Sequence, residues 1–227
     1  IAPLVESLSK AESLDDEAVG EGGTKSDTYK TYEKLRERAK REDLSGLLEH
    51  DVAIVRGYAF RALLDRKEVV DWPALLRARA HDKTKVATFQ GCIRGEQMLG
   101  DVVIDWAREH RLLTEEQWLD FSEHLVTAKS PLHAREQALR SVRFRDGMID
   151  AIRALARGGD GPALVALARY RQVKDLSLLA TSLSRSNVFD DTSAFLAAQA
   201  NPDPSLLPAL VDLQGKARTQ IAGGLVP

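Results

Sequence analysis

Histidine and cysteine are the side chains that could do metal or nucleophilic chemistry in this chain, which has five histidines and one cysteine. The histidines follow neither the His-Glu-x-x-His motif nor a paired His/Cys spacing, the patterns that bind zinc. His50 and His81 lie in equivalent His-Asp turns, where a partly cationic ring favours the negative end of the preceding helix. Cys92 follows Gly91 inside a predicted helix and is expected to be a small buried residue rather than a nucleophile. The sequence therefore predicts no metal site.

Paired carboxylates could act as general acid and base, and adjacent acids occur at Glu115-Glu116 and Asp190-Asp191. Adjacent residues do not share a helix face, so each pair is interpreted as a helix start. No Gly-x-Ser-x-Gly nucleophile elbow is present. The glycine-rich run at 20–23 follows no strand pattern, which favours a flexible join over a phosphate loop. We therefore expect no catalytic residue, no cofactor and no enzyme activity.

A helix-turn-helix unit repeats in the first half of the chain. The stretch LEHDVAIVRGYAFRAL, residues 48–63, recurs as RARAHDKTKVATFQGCI at 77–93, with His50 and His81 offset by 31 residues. Asp51 is placed to cap the helix that follows it. It can also pair with Arg56, and the second copy keeps an acid at Asp82. The unit predicts a second helix over 84–98, which the two glycines within it would weaken or kink.

Apolar residues at steps of three and four predict helices along most of the remaining chain. Ser26, Asp71, Thr114, Ser130 and Asp203 are the predicted starts. No alternating run is long enough to predict a strand, so the expected fold is all-α. We expect an acidic, partly flexible N-terminal segment over 1–25 and a single helical-repeat domain over 26–227.

Composition limits the partners and the compartment. The 227 residues are 44% hydrophobic and 6% aromatic with a net charge of −2, so no global field favours nucleic acid or an anionic membrane. A single cysteine excludes an intramolecular disulfide. No apolar run approaches the roughly 20 residues of a membrane span. The chain begins with Ile1 rather than Met, so the compartment stays open between the cytoplasm and, after signal removal, the bacterial periplasm.

One region is distinctly basic. Residues 135–174 hold nine bases against four acids, whereas residues 1–27 hold seven acids against two lysines. If the bases line one edge of the fold, they could bind phosphates or an acidic protein segment. A solvated face and pairing with the acidic N-terminal region are the alternatives. The candidate anion-binding residues are Arg135, Arg140, Arg143, Arg145, Arg153 and Arg157.

The stretch LLEHDVAIVRGYAFRAL resembles a HEAT repeat of the short bacterial kind. GTKSDTYKTYEKLRERA, VRGYAF and FQGCI, in this order, are similar to a group of uncharacterised bacterial HEAT-repeat proteins. The resemblance covers residues 20–98, and ALARYRQVKDLSLL and AQANPDPSLLPAL look like diverged segments of that family. It implies a HEAT-like α-solenoid, a right-handed superhelix of antiparallel helix hairpins. It also implies a binding surface but no reaction.

Two features depart from that family. The step of 31 residues is shorter than the roughly 40–47 of most HEAT arrays. An ankyrin array is the alternative, since Ser-Pro-Leu-His at 130–133 is similar to its Thr-Pro-Leu-His motif, but the motif occurs only once.

The favoured function is a non-catalytic protein-interaction or scaffold module that binds another protein, possibly through an acidic segment. The alternative is a HEAT-like nucleic-acid-binding protein or DNA glycosylase-type enzyme that uses the basic region. That enzyme would need a tryptophan or tyrosine at the damaged base, whereas Trp72, Trp106 and Trp118 each fit an apolar helix face. The residues expected to bind protein, off the apolar stripe of the second helices, are Arg56, Tyr58, Arg61, Lys85, Phe89 and Arg94.

Overall fold

The structure is a computed structural model that describes residues 1–68, 71–185 and 192–223. The contacts divide the chain into two compact units, with residues 1–121 and 130–134 in unit 1 and the rest in unit 2. The fold is mostly helical, as predicted. The predicted helix start at Asp190-Asp191 lies outside the described residues. The domain boundary predicted after residue 25 stays a prediction, although residues 1–25 contribute a helix and a strand to unit 1.

Unit 1 is built from helices around a small sheet. Its elements are α1 (Ala2–Ser9), β1 (Ser13–Val19), α2 (Asp27–Arg38), α3 (Arg41–Leu47), α4 (Ala53–Asp65), α5 (Trp72–Arg79), β2 (Lys85–Gly91), β3 (Ile93–Met98) and α6 (Leu99–Glu109). The strand order is β1-β2-β3. The strand β1 runs parallel to β2, and β2 runs antiparallel to β3.

The all-α prediction is wrong for these strands, and so is the helix predicted over 84–98. Val86 and Thr88 point into unit 1 while Lys85 and Ala87 are exposed, which is the two-residue period of a strand. Gly91 has a φ of 55°. This conformation suits the two-residue turn of a hairpin rather than a helix interior. Cys92 therefore lies exposed in that turn, instead of buried in a helix as expected.

Helix α4 is the centre of unit 1 because it is buried on all sides. It contacts α1, α2, α3, α6, β1 and β2. The face of α4 that carries Tyr58 is covered as well, since the Tyr58 side chain is completely buried. Gly57 allows the sheet to approach, because a Cβ at this position would lie 2.9 Å from the side chain of Leu14 in β1.

Helix α4, which follows the His-Asp turn in the first copy of the repeat, is confirmed, but its capping differs from the prediction. Val52 is the N-cap of α4, and no side chain caps it there. The Val52 N–H donates instead to His50 Nδ1, at 3.0 Å. Arg56 donates to the backbone oxygen of Asp51 and not to its carboxylate. The carboxylate that pairs with Arg56 is that of Asp82, with Arg56 Nε and Asp82 Oδ2 3.1 Å apart. The prediction that Asp51 caps α4 and pairs with Arg56 through its carboxylate is therefore wrong. Asp82, the acid of the second His-Asp turn, pairs with Arg56 instead.

Several predicted helix starts are confirmed. The Ser26 hydroxyl accepts the N–H of Tyr29, and the Asp71 carboxylate accepts that of Ala74. The Thr114 cap bonds reciprocally with Gln117. Such caps satisfy the free N–H groups of the first turn.

Ser130 does not begin its predicted helix. Its hydroxyl donates to the Ala80 carbonyl, and Asp101 accepts the N–H groups of His133 and Ala134 instead.

Within its described residues, unit 2 contains short helices and three 3-10 turns. Helices α7 (Glu115–Thr127) and α8 (His133–Ser141) contribute residues to both units. The later helices are α9 (Ile149–Arg157), α10 (Gly161–Ala168), α11 (Leu176–Arg185), α12 (Ser193–Ala200) and α13 (Leu207–Gly223). Alanine and leucine side chains fill the contacts of α10 with α9 and α12. No helix among the described residues is long and apolar enough to cross a membrane.

The close packing at Gly100 gives a first prediction. A Cβ there would lie 2.6 Å from Leu132 Cδ1 and 2.8 Å from the carbonyl oxygen of Arg79. Because the backbone at Arg79 cannot move aside easily, Gly100→Ala should lower the free energy of unfolding by about 1–3 kcal/mol. Urea unfolding measures this change.

Gly46→Ala is the matched control, since a Cβ there meets no atom within 4 Å on the exposed side of α3. It should raise the free energy of unfolding by up to about 1 kcal/mol. Equal changes at the two positions would contradict the packing argument.

Candidate functional site

The six residues predicted to bind protein do not form one surface. Lys85, Phe89 and Arg94 share the outer face of the β2–β3 hairpin, where the Arg94 guanidinium lies 4.1 Å from the Phe89 ring centre. Tyr58 is fully buried and therefore lies on no binding surface. Arg56 is occupied by Asp82, with only 12% of its side chain exposed. The burial of Tyr58 contradicts its assignment, whereas Lys85, Phe89 and Arg94 stay predicted protein-binding residues.

Arg61 lies in an internal network around α4. Its guanidinium donates to Asp16, at 3.0 Å, and lies over the rings of Tyr29, Tyr32 and Trp106. Burial raises the pKa of Tyr32, and its hydrogen bond to Asp65 raises it further. Cation–π contacts of this kind stabilise an arginine that has little water around it. The prediction that Arg61 binds a partner is replaced by a role in holding unit 1 together.

The glycine-rich run at 20–23 does follow a strand, contrary to the sequence interpretation, since β1 ends at Val19. Gly20 and Gly23 have positive φ angles, and Val19 and Thr24 pair across the turn. The next cation, Lys25, binds both Glu17 and Glu33, at 3.0 and 2.6 Å. With its lysine neutralised in this way, the turn does not resemble a phosphate cradle.

Three of the six candidate anion-binding arginines are occupied by carboxylates in unit 2. Arg135 pairs with Asp160, and Arg145 pairs with Glu123. Arg153 is 5% exposed and donates to Asp175, with Nε and Oδ1 2.6 Å apart.

The hydrogen bond with Asp175 raises the pKa of Arg153, although burial opposes the shift. Arg153 is buried and Arg135 half-buried beside their carboxylate partners, which contradicts their assignment to a binding surface. Arg145 is 45% exposed, so its assignment stays a prediction.

The remaining candidates differ in where they lie. Arg140 and Arg143 are exposed on α8 and just after it. Arg157, at the end of α9, lines two adjoining depressions of about 270 and 250 Å³, and Leu178 and Thr181 of α11 line both of them. We call these two depressions together the α11 groove. Of the six arginines, only Arg157 lines it.

The α11 groove carries positive charge from three side chains, Arg157, Lys174 and Arg185. None of the three forms an ion pair with another described residue. The two acids on the groove, Asp160 and Asp175, are occupied by the arginines behind them. The local balance is thus positive even though the whole chain has a net charge of −2.

Helix α11 supplies the polar side of the groove. Ser177, Thr181 and Arg185 follow one another at steps of four residues, which places them on one helix face. The Thr181 hydroxyl donates to the Ser177 carbonyl, at 2.8 Å. The Ser177 hydroxyl is exposed and available to an incoming acceptor. The positive charge and the exposed hydroxyl favour an anionic, extended ligand in this groove.

Sequence reasoning missed Arg185 and the role of α11. The basic region defined in the sequence, residues 135–174, ends before Arg185. In α11 only the spacing of the apolar residues was interpreted, and not that of the polar residues. The signal that could have found the site is the four-residue spacing of Ser177, Thr181 and Arg185.

A smaller cleft of about 220 Å³ lies between the hairpin and α6 in unit 1. Gln90, Gln97, Trp106, Asp105 and Glu109 line it. Burial raises the pKa of Asp105. Within the part of the chain that the structure describes, no group of three or more His, Cys, Asp or Glu side chains is placed to hold a metal ion.

Comparison with protein-family models, with curated proteins and with solved structures gave no match for this chain.

The pairing of Arg153 gives the second prediction. Asp175→Ala leaves a buried guanidinium without its main partner and should lower the free energy of unfolding by about 3–5 kcal/mol. Thermal or urea unfolding measures the loss.

Asp150→Ala is the control, because Asp150 contacts the same arginine while its own side chain is 91% exposed. That change should stay within about 0.5 kcal/mol. Similar losses in the two variants would mean that the buried pair does not stabilise unit 2.

Proposed function

We propose that this protein is a non-catalytic interaction module, and that the α11 groove binds an acidic segment of another protein. The observation that carries the proposal is the set of three cations, Arg157, Lys174 and Arg185, which line one groove without carboxylate partners among the described residues. Carboxylates of a bound segment would complete these pairs.

We also propose that unit 2 is a HEAT-like array of helix hairpins. Its 3-10 turns begin at Asp146, Val173 and Pro204, steps of 27 and 31 residues, and each turn leads directly into a helix. Helices α9 and α10 form one hairpin, and α11 and α12 contact each other in the next. Stacking of similar units is how repeat proteins build an extended binding surface.

This repeat differs from the one in the sequence of unit 1. The stretch that resembles a HEAT repeat does form the α3–α4 hairpin. In the second copy, however, the β2–β3 hairpin replaces the helix predicted over 84–98, so the two copies do not share a structure. Support for the HEAT-like proposal therefore comes from unit 2, where the sequence resemblance is loose.

The size of the groove favours a short peptide. From Lys174 to Arg185 the helical rise corresponds to about 16 Å. An extended segment covers that distance with about five residues.

Duplex DNA is the less favoured ligand, because proteins that bind it typically neutralise about 6–10 phosphates. Neither a tryptophan nor a tyrosine is among the described residues that line the groove, and a glycosylase would need one of them there.

A labelled peptide tests the proposal directly. Fluorescence anisotropy with a peptide of five glutamates flanked by glycines should give saturable binding that weakens with added salt. The variant R157Q/R185Q should bind it about tenfold more weakly, because two charge-assisted contacts are lost. The same peptide with glutamine for glutamate should not bind.

The matched control is R140Q/R143Q, which removes two exposed arginines outside the groove. An equal loss of affinity in this control would contradict the proposal, since it would mean that overall charge decides binding. A 20-base-pair duplex that binds more tightly than the peptide would favour the nucleic-acid alternative instead.

A further inference from the structure

The strand β3 is an open edge of the sheet in unit 1. It pairs with β2 at all six of its positions, from Ile93 opposite Gln90 to Met98 opposite Lys85. Among the residues that the structure describes, no strand lies on its other side, since the order is β1-β2-β3. Almost the whole strand is exposed, with Ile93 at 75%. Such an edge presents backbone donors and acceptors that another strand can bind.

The register of the hairpin fixes which backbone groups are free. The turn has two residues, Gly91 and Cys92, so the flanking pair Gln90–Ile93 exchanges hydrogen bonds. In an antiparallel ladder, bonded and non-bonded pairs alternate. Residues 93, 95 and 97 therefore bond to β2, and the backbone groups of Arg94 and Glu96 point away from the sheet.

We propose that β3 pairs antiparallel with β3 of a second copy, in the register that places Gly95 opposite Gly95 of that copy. In this register Arg94 faces Glu96 of the second copy, and their outward N–H and C=O groups bond each other. The symmetric contact therefore has two identical Arg–Glu pairs. Opposite charges directly across two strands stabilise the pairing.

The neighbouring symmetric registers are disfavoured by charge. Centring the contact on Arg94 places two arginines opposite each other, and centring it on Glu96 places two glutamates opposite each other. Like charges in this position destabilise a strand pair. Charged residues on an edge usually prevent association, but here opposite signs two residues apart favour a single register.

The side chains of Arg94 and Glu96 also make contacts within the hairpin. Arg94 lies against the Phe89 ring, 4.1 Å from its centre, and Glu96 accepts from Lys85 at 2.7 Å. Both side chains stay on the outer face of the hairpin. On the inner face, the exposed Ile93 would lie opposite Gln97 of the second copy. Only the five residues 93–97 of each strand face one another in this register, so we expect a weak dimer that depends on concentration.

Complementary charge variants test both the dimer and its register. In Arg94→Glu all four facing residues are acidic, and in Glu96→Arg all four are basic, so each variant alone should dimerise at least about tenfold more weakly than the native chain. An equimolar mixture should restore association, because each Glu of one variant then faces an Arg of the other. Sedimentation equilibrium over a range of concentrations measures the dissociation constants.

Lys34→Glu and Glu37→Arg are the controls, since both side chains are exposed on α2 and the charge changes are the same. These variants should dimerise like the native chain. Hydrogen exchange adds an independent readout, because the amides of Arg94 and Glu96 should become protected as concentration rises. Circular dichroism verifies that each variant is folded.

A native chain that stays monomeric at millimolar concentration would overturn the proposal. So would single variants that dimerise normally, or a mixture of the two that fails to associate.

Discussion

The pairing of arginine with aspartate across neighbouring elements is the interaction on which both units depend. Burying a carboxylate away from water costs free energy unless cations and hydrogen-bond donors surround it. Asp175 is 2% exposed and is held by Arg153. In unit 1, burial by itself would raise the pKa of Asp82, but hydrogen bonds from Arg56 and Thr84 hold it below its usual value. These pairs join segments that are far apart in sequence, so they fix how the helices pack.

The same pairing decides which charges remain for function. Residues 135–174 have an excess of bases in the sequence, but Arg135 and Arg153 among them neutralise acids of the same unit. Among the described residues, Arg157 and Arg185 at the ends of helices and Lys174 in a 3-10 turn stay unpaired beside the groove. A local charge count therefore overestimates a binding surface wherever acids from later turns, such as Asp175, lie behind it. The position of each cation relative to a buried carboxylate is therefore more informative than the number of cations in the window.

The sequence predicted the helices well and the strands not at all, for physical reasons. Helix starts at Ser26 and Asp71 depend on hydrogen bonds within three residues, so a short window contains the whole signal. The strand β1 carries three acids and pairs with β2, about 70 residues later, so nothing near it in sequence marks it as a strand. Val86 and Thr88 gave a local strand signal, but the apparent repeat of the His-Asp turn favoured a helix. The α11 groove was found only in part, because Arg157 lay in the basic window and Arg185 did not.

The two proposals reinforce each other through valency. A dimer formed along β3 would carry two α11 grooves, one in each copy, and a partner with two acidic segments could bind both. The second binding event would then be intramolecular, and its strength would depend on the effective concentration set by the segment between the two acidic stretches. Weak contacts at a groove with three cations would then suffice for stable binding at high protein concentration, and the complex would dissociate on dilution. A weak dimer and a modest groove together therefore favour an interaction that is governed by concentration rather than by the affinity of one site.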